Sequence, residues 1–347
     1  MSMSEQINAI GFYKGLAIED PNSLRNLKID RPKTNGNDLL VEVKAVSVNP
    51  VDTKMRQSHP ETKNPTVLGF DAYGVVAEVG DQVTNFKTGD HVFYAGTNNR
   101  AGSDQEFQLV DARIVAHAPN KISLEEAAAM PLTSLTAWET LFDRMPLIPK
   151  ENANSGKEVL IINGAGGVGS IAIQLAKWAG LKVITTASRP ETIEWVKKMG
   201  ADVVLDYHQS LSDQLKAVGI ETVKYAAIFQ STDAYLPILA KIVAPEGFIT
   251  SIVENAHPLP MGLLKAKSIT FAWEFMFTKS IFHTDDMATQ GQILAKIAEL
   301  LDNKQLRSTL TLTLTGINAD SLRRAHEQVE SNKMIGKVVV TGNFNAK

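Results

Sequence analysis

From Val159 to Val253 short apolar runs alternate strictly with helical stretches, and this alternation restricts the fold more than any other feature of the 347 residues. Val159–Asn163, Lys182–Ala187, Val203–Leu205, Tyr225–Phe229 and Phe248–Val253 read as strands, with helices at Gly167–Ala179, Pro190–Met199, Leu211–Val218 and Tyr235–Val243 between them. Strands that are apolar nearly throughout are buried on both faces. A doubly wound parallel sheet with helices on each side buries them in that way.

Between the first of these strands and its helix stands Gly164-Ala165-Gly166-Gly167-Val168-Gly169, a GxGxxG loop. In this context one glycine is expected to make a tight turn, one to let backbone approach a pyrophosphate, and one to let helix and strand pack closely. The helix N-terminus adds free N–H groups and partial positive charge. A dinucleotide site of this kind selects its cofactor near the end of the second strand, roughly 20 residues further on, where a carboxylate would accept the ribose 2′-OH of NAD. Nineteen positions beyond Gly169 the chain has Ser188-Arg189 instead. A hydroxyl and a guanidinium suit a 2′-phosphate, so the expected cofactor is NADPH. Ser188 with Glu191 three residues later also has the spacing of a capping box for a helix opening at Arg189, a role compatible with the first.

Before this region the pattern differs. Leu39–Val48, Ala72–Val79, His91–Ala95 and Glu106–Val110 are short, Val-rich runs broken by Gly, Pro, Asn and Asp, the mark of an all-β unit. Between Ser123 and Arg144 the period becomes helical, opened by Ser123 and Glu126 at capping-box spacing. After residue 275 remain a helix (Met287–Leu301), a Thr/Leu alternation (Thr309–Thr315), a helix (Asp320–Ser331) and a strand (Lys337–Thr341), too few for a domain of their own. The expected division is 1–128, 129–274 and 275–347, the last part returning to complete the first.

Composition removes several function classes. With 35 Lys+Arg against 38 Asp+Glu the formal charge is -3, so no basic field awaits nucleic acid and the expected partner is a small molecule. There is no cysteine, which excludes disulfides, thiolate catalysis, iron–sulfur clusters and every cysteine-containing zinc site. The seven histidines show neither HxxxH nor HExxH spacing. No run reaches the ~20 apolar residues of a membrane helix, and the first residues lack a signal-peptide pattern. The chain reads as soluble and cytoplasmic.

Seven motifs carry a resemblance to a known family: NPVDTK (49–54), LGFDAYGVVAEVG (68–80), TGDHV (88–92), PLTSLTAW (131–138), GAGGVG (164–169), MGADVVLDY (199–207) and GKVVV (336–340). In this order and spacing, over nearly the whole chain, the sequence resembles the medium-chain dehydrogenase/reductase superfamily, and within it the zinc-independent quinone-reductase branch. The resemblance implies an α/β protein with a GroES-like β-barrel domain plus a Rossmann domain, and a cleft between them. Where zinc-type relatives carry Cys, His and Cys on a catalytic zinc, the chain has Asn49, Phe70 and an apolar residue near Leu132. No metal site is therefore expected.

Carried over by position, Thr136 resembles the threonine that touches the nicotinamide, and Tyr207 a tyrosine lining the adenosine phosphate pocket. Gln230 and Ser231 follow the strand facing the nicotinamide ribose, and Lys337 resembles a residue that approaches the cofactor. Each has a plain structural reading as well: a helix threonine, a packing tyrosine, loop polars, a solvated strand lysine. Asn49 and Asp52 are the polar residues placed nearest the substrate carbonyl, Asn49 as an oxyanion donor and Asp52 as substrate contact or as the anchor of a loop through Asx-type bonds. The implied activity is hydride transfer from NADPH to a quinone or activated alkene without catalytic metal. A zinc-dependent alcohol dehydrogenase and a catalytically idle NADPH-binding sensor or structural protein stand as alternatives. Finally, Phe248–Val253 carries no charge or proline, and as the last strand of the sheet it would pair with its copy in a homodimer. Ser268–Ala272 is the other candidate for the outermost strand.

Overall fold

The computed structural model describes residues 5–344. The chain divides into two compact units: residues up to Leu132 together with those from Phe277 onward, and Thr133–Met276.

The first unit opens with strands β1 (Gln6–Gly11) and β2 (Arg25–Asp30), an antiparallel pair. Next come β3 (Asp38–Ser47), helix α1 (Pro50–Gln57), β4 (Asp71–Val79), β5 (His91–Tyr94), β6 (Phe107–Asp111), β7 (Val115–His117) and α2 (Leu124–Ala128). Pro131 then starts a new helix, α3 (Pro131–Trp138), so the expected helical stretch is broken once by a residue that cannot continue a hydrogen-bond ladder. The expected capping box forms: Ser123 Oγ accepts from the N–H of Glu126, whose carboxylate accepts from the N–H of Ser123 at 2.9 Å.

Strand β3 organises the main sheet. One edge pairs antiparallel with β4. The other pairs with β6 over Asp38–Glu42 and with the last strand of the chain over Ala45–Ser47. The alternation in Ala72–Val79 fits this position, with Ala72, Gly74 and Val76 buried and Tyr73, Val75 and Ala77 less so.

The second unit continues from α3 through a π-helical turn, Glu139–Asp143. It contains β8 (Glu158–Ile162), α4 (Gly167–Trp178), β9 (Lys182–Thr186), α5 (Pro190–Met199), β10 (Val203–Leu205), α6 (Leu211–Ala217), β11 (Val223–Ile228), α7 (Thr232–Ile242), β12 (Val243–Ser251), α8 (Gly262–Lys265) and β13 (Thr270–Trp273). The sheet order is β10-β9-β8-β11-β12-β13, and every pairing is parallel. Leu160, Ile162, Ala226, Ile228 and Ile249 of the strands pack with Leu236 and Leu239 of α7 and Leu215 of α6 in one buried cluster. The apolar runs are therefore central strands covered by helices.

One expectation is overturned. Phe248–Val253 does not form the sheet's edge: β12 lies between β11 and β13, its Phe248–Ser251 paired on one side with Tyr225–Ile228 and on the other with Thr270–Trp273. The apolar run is explained by being hydrogen-bonded on both edges and buried, and β13 is the outermost strand.

Back in the first unit, α9 (Thr278–Phe282), α10 (Thr289–Asp302), β14 (Leu310–Ile317), α11 (Ala319–Glu330) and β15 (Lys337–Phe344) complete the chain, with β15 parallel to β14 and antiparallel to β3. Among the described residues no helix is long and apolar enough to cross a membrane.

Candidate active site

In the second unit, β8, β9 and β10 extend one way and β11, β12 and β13 the other, so the strand order reverses between β8 and β11. Crevices at such a reversal, beyond the carboxyl ends of the strands, are where open parallel sheets take ligands. The glycine loop leaves β8 there, Ser188 and Arg189 follow β9, Tyr207 follows β10, and Gln230 and Ser231 follow β11. All these residues thus lie along one edge of one sheet. Tyr207 and Gln230 are exposed, and Ser188, Arg189 and Ser231 half-buried.

The turn is made differently from the expectation. None of the loop glycines has a positive φ, whereas Asn163, just before them, sits at φ 67. A Cβ on Gly164 would fall 2.1 Å from Thr185 Oγ1 of β9, and one on Gly169 would fall 2.2 Å from the Asn163 carbonyl oxygen. These two glycines are required by close packing, while Asn163 tolerates the left-handed turn. Gly166 is the N-cap of α4, and Gly166, Gly167 and Val168 are half-buried. Their backbone lies at the start of a twelve-residue helix, where N–H groups and the helix dipole suit phosphate.

Ser188 is not the helix cap. Arg189 holds that position, with Pro190 as the first helical residue and the Arg189 N–H donating to Thr192 Oγ1 at 3.1 Å. The pattern slips by one residue because proline is preorganised for the first helical position. Glu191 is consequently free of capping, and its carboxylate lies 3.3 Å from Arg189 Nε. Ser231 occupies a left-handed conformation as N-cap of α7, its Oγ accepting from the N–H of Ala234. Thr136 is buried in α3, three residues before the π-helical turn.

The first unit brings Asn49, Asp52, Asp71 and Lys337 together. Asn49 is the N-cap of α1, so NPVDTK is a helix start and not a loop. Asp52 is its third helical residue and accepts the Asn49 backbone N–H at 2.7 Å. Lys337, the first residue of β15, is only 2% exposed, which excludes the solvated-lysine reading. Its ammonium donates to Asp71 Oδ2 at 2.9 Å, to the Asn49 side-chain oxygen, and to the Val48 carbonyl at 3.3 Å. Asn49 Nδ2 donates in turn to Asp71 Oδ2 at 2.8 Å and to the Ser47 carbonyl at 3.3 Å. The other oxygen of Asp71 accepts the backbone N–H of Leu132 at 2.7 Å. Burial pushes the Asp52 carboxyl up to about 7 against the opposing pull of the Asn49 N–H and of Lys337. Burial also raises Asp104 well above the usual carboxylate range, aided by the charge of Asp52.

A zinc ion does not fit these residues. The Asn49 side-chain oxygen and the Asp71 carboxylate are already engaged by an ammonium ion, and Phe70 is buried against Phe277 with ring centroids 4.9 Å apart. Among the described residues no group of three or more His, Asp or Glu side chains could hold a metal.

Asp71, in LGFDAYG, is not among the residues the sequence singles out, yet the structure places it between Asn49 and Lys337. Its signal would have been a buried-strand carboxylate ahead of the apolar run Ala72–Ala77, with no cation nearby in sequence to balance it.

The chain is similar to known proteins along nearly its whole length. An alcohol dehydrogenase GroES-like domain matches residues 35–120, and a zinc-binding dehydrogenase domain matches residues 167–292. A zinc-type alcohol dehydrogenase-like protein of Staphylococcus epidermidis is 47% identical over 334 residues, covering 96% of this chain and 99% of the relative. A 2-methylene-furan-3-one reductase of Solanum lycopersicum is 33% identical over 283 residues, 74% of this chain and 69% of the relative. The crystal structure of Escherichia coli quinone oxidoreductase complexed with NADPH superimposes with a TM-score of 0.81 at 25% identity, covering 96% of this chain and all of that one.

Proposed function

The chain belongs to the medium-chain dehydrogenase/reductase superfamily, and from that membership we propose that it is an NADPH-dependent reductase acting on quinones or on alkenes conjugated to a carbonyl, without a catalytic metal. The observation that carries the reading is the edge of the parallel sheet at its strand-order reversal, where the glycine loop, Ser188-Arg189 and Gln230-Ser231 stand in succession. The reductase and the quinone oxidoreductase among its relatives support the substrate class, and the NADPH in the latter supports the cofactor.

In this reading the N–H groups at the start of α4 hold the pyrophosphate, and Ser188 and Arg189 hold the 2′-phosphate. Tyr207 lines the adenosine end. Thr136, Gln230 and Ser231 orient the nicotinamide ribose and ring. The bound NADPH supplies the hydride.

As hydride adds, negative charge develops on the substrate oxygen, and a preorganised N–H donor stabilises it. Of the two Asn49 Nδ2 bonds, the one to the Ser47 carbonyl is at the long end of the range at 3.3 Å. In this reading that N–H is the one exchanged for a substrate oxygen, which requires the buried Asn49 to become accessible, while Lys337 and Asp71 keep the amide in place. Asp52 holds α1, and so Asn49, through its bond to the Asn49 backbone.

The test is stopped-flow oxidation of NADPH by a panel of quinones and enones, with NADH in parallel. Turnover of at least one acceptor with NADPH favoured is expected. No oxidation with any acceptor, together with zinc-dependent oxidation of alcohols, would overturn the reading in favour of an alcohol dehydrogenase.

A further inference from the structure

Strand β13 ends at Trp273, and the ladder continues one residue further, where the Glu274 N–H donates to the Ser251 carbonyl of β12 at 2.9 Å. Because the strands are parallel, Glu274 stands at the same edge of the sheet as the glycine loop and Gln230-Ser231. A carboxylate there, with its residue 2% exposed, needs partners. One is Arg144, whose Nε lies 2.7 Å from Glu274 Oε2. The other is the side chain of Glu139, 1% exposed, which stands beside that of Glu274 within reach of a hydrogen bond. No donor among the described residues reaches Glu274 Oε1, which leaves that oxygen for the neighbouring Glu139 carboxyl group. Two carboxyl groups can form a hydrogen bond only if one of them carries a proton, because ionised carboxylates are acceptors alone.

The elements joined by this contact concern the cofactor. Glu139 begins the π-helical turn directly after α3 and lies three residues beyond Thr136, on the same side of the helix. Arg144 closes that turn, its backbone N–H donating to the Glu139 carbonyl at 2.9 Å while its side chain holds Glu274. Single π-helical turns recur at functional sites because they re-aim side chains.

We propose that Glu139 and Glu274 share one proton and, with Arg144, form a positioning device that fixes the end of β13 to the helix carrying Thr136, so that cofactor binding depends on keeping that proton. This rests on the reading that the dinucleotide lies along this edge. With the proton in place, one negative charge faces one guanidinium. Without it, two buried carboxylates share one Arg and repel each other, which drives the turn and the strand end apart. Glu139 and Arg144 are the charged groups that act on Glu274, and β12 meets it through the Ser251 backbone carbonyl. Burial and the Glu139 charge raise the Glu274 carboxyl far enough that the proton is held at neutral pH and lost in mildly alkaline solution.

The experiment is a fluorescence titration of the full chain with NADPH from about pH 7 to about pH 10. The unmodified protein should lose affinity about three- to tenfold over this range, as expected for a group that must be protonated. Glu274→Ala should bind weakly at every pH. Glu274→Gln, whose amide donates to Glu139 and accepts from Arg144, should recover most of the neutral-pH affinity and show no alkaline loss. Superimposable profiles for the unmodified protein and Glu274→Gln would overturn the proposal. If neither protein binds NADPH at any pH, the cofactor reading itself fails, and thermal unfolding judges the pair. A midpoint that falls with alkaline pH only in the unmodified protein supports the shared proton, and equal slopes refute it.

Discussion

Lys337 Nζ lies 2.9 Å from Asp71 Oδ2, with the two side chains 3% and 0% exposed, so a lysine at the start of the last strand neutralises a carboxylate at the head of β4 in the middle of the first unit. A buried pair of this kind owes its stability to having both members, because either alone is an uncompensated charge. Lys337→Met should therefore lower the unfolding free energy by ~3–5 kcal/mol, and adding Asp71→Asn should recover part of that loss. Urea unfolding of the three proteins measures both; a double variant no more stable than Lys337→Met would show that the pair is not the source.

Cofactor choice should reside in Arg189. Its guanidinium is 38% exposed and tied to Glu191, itself 56% exposed, an ion pair that water and salt weaken to ~0–1 kcal/mol. A 2′-phosphate offers a stronger, charge-assisted contact of ~1.5–3 kcal/mol, so NADPH should displace Glu191 from the arginine. Arg189→Ala should erase a roughly 10- to 150-fold preference for NADPH over NADH. Equal dissociation constants for the two cofactors in the unmodified protein would sink this prediction.

Asp52 should make stability depend on pH. Burial, the largest cause, raises its carboxyl in the folded chain to about 7 from the ordinary 3.8. Between these values the folded protein keeps a proton that the unfolded chain has released, so stability falls as pH rises through this window and levels off above it. The loss is on the order of 3 kcal/mol, and Asp52→Asn should flatten it. Denaturant midpoints at about pH 4.5 and about pH 7.5 check the slope; identical slopes in the two proteins would place the titration elsewhere.

Activity should be indifferent to chelators, and elemental analysis should find no stoichiometric zinc. The reason is chemical: Asn49 and Asp71 are engaged by the Lys337 ammonium, and Phe70 offers no donor atom. Zinc at one equivalent that tracks activity would contradict it.

The elements, and the strand ends at which the candidate cofactor residues stand, were legible because both are written locally. The 3.6-residue and two-residue periods mark helices and strands, and GAGGVG and Ser188-Arg189 fall where strands end. What the sequence concealed is contact between distant positions. Nothing around Asp71 points to Lys337, and nothing around Glu139 points to Glu274, because burial of paired charges leaves no period. The missed helix at Pro50–Gln57 shows a second limit, since its opening Asn-Pro reads equally well as a turn. Sheet order is the third: an uncharged apolar run is compatible with an edge that pairs with another subunit and with an interior strand, and β12 proved to be interior.

The homodimer prediction accordingly moves to β13. Ile249 is fully buried, so a lysine there would unfold the second unit without reporting on any interface. Thr270–Trp273 is paired with β12 on one side only, and its four residues, Thr-Phe-Ala-Trp, carry neither charge nor proline. An edge of that composition invites pairing, and pairing with its own copy about a two-fold axis covers β13 in both chains and gives a closed dimer, with the short β10 outermost at each end. Trp273, 43% exposed in the single chain, and Phe275, 46% exposed, would add apolar surface to the contact. Light scattering should therefore find a particle of twice the chain mass. Thr270→Lys with Ala272→Lys, two changes on one face of the edge strand, should convert it to a folded monomer with unchanged circular dichroism. A monomer in the unmodified protein would refute the dimer, and a dimer that survives both lysines would refute this edge as its interface.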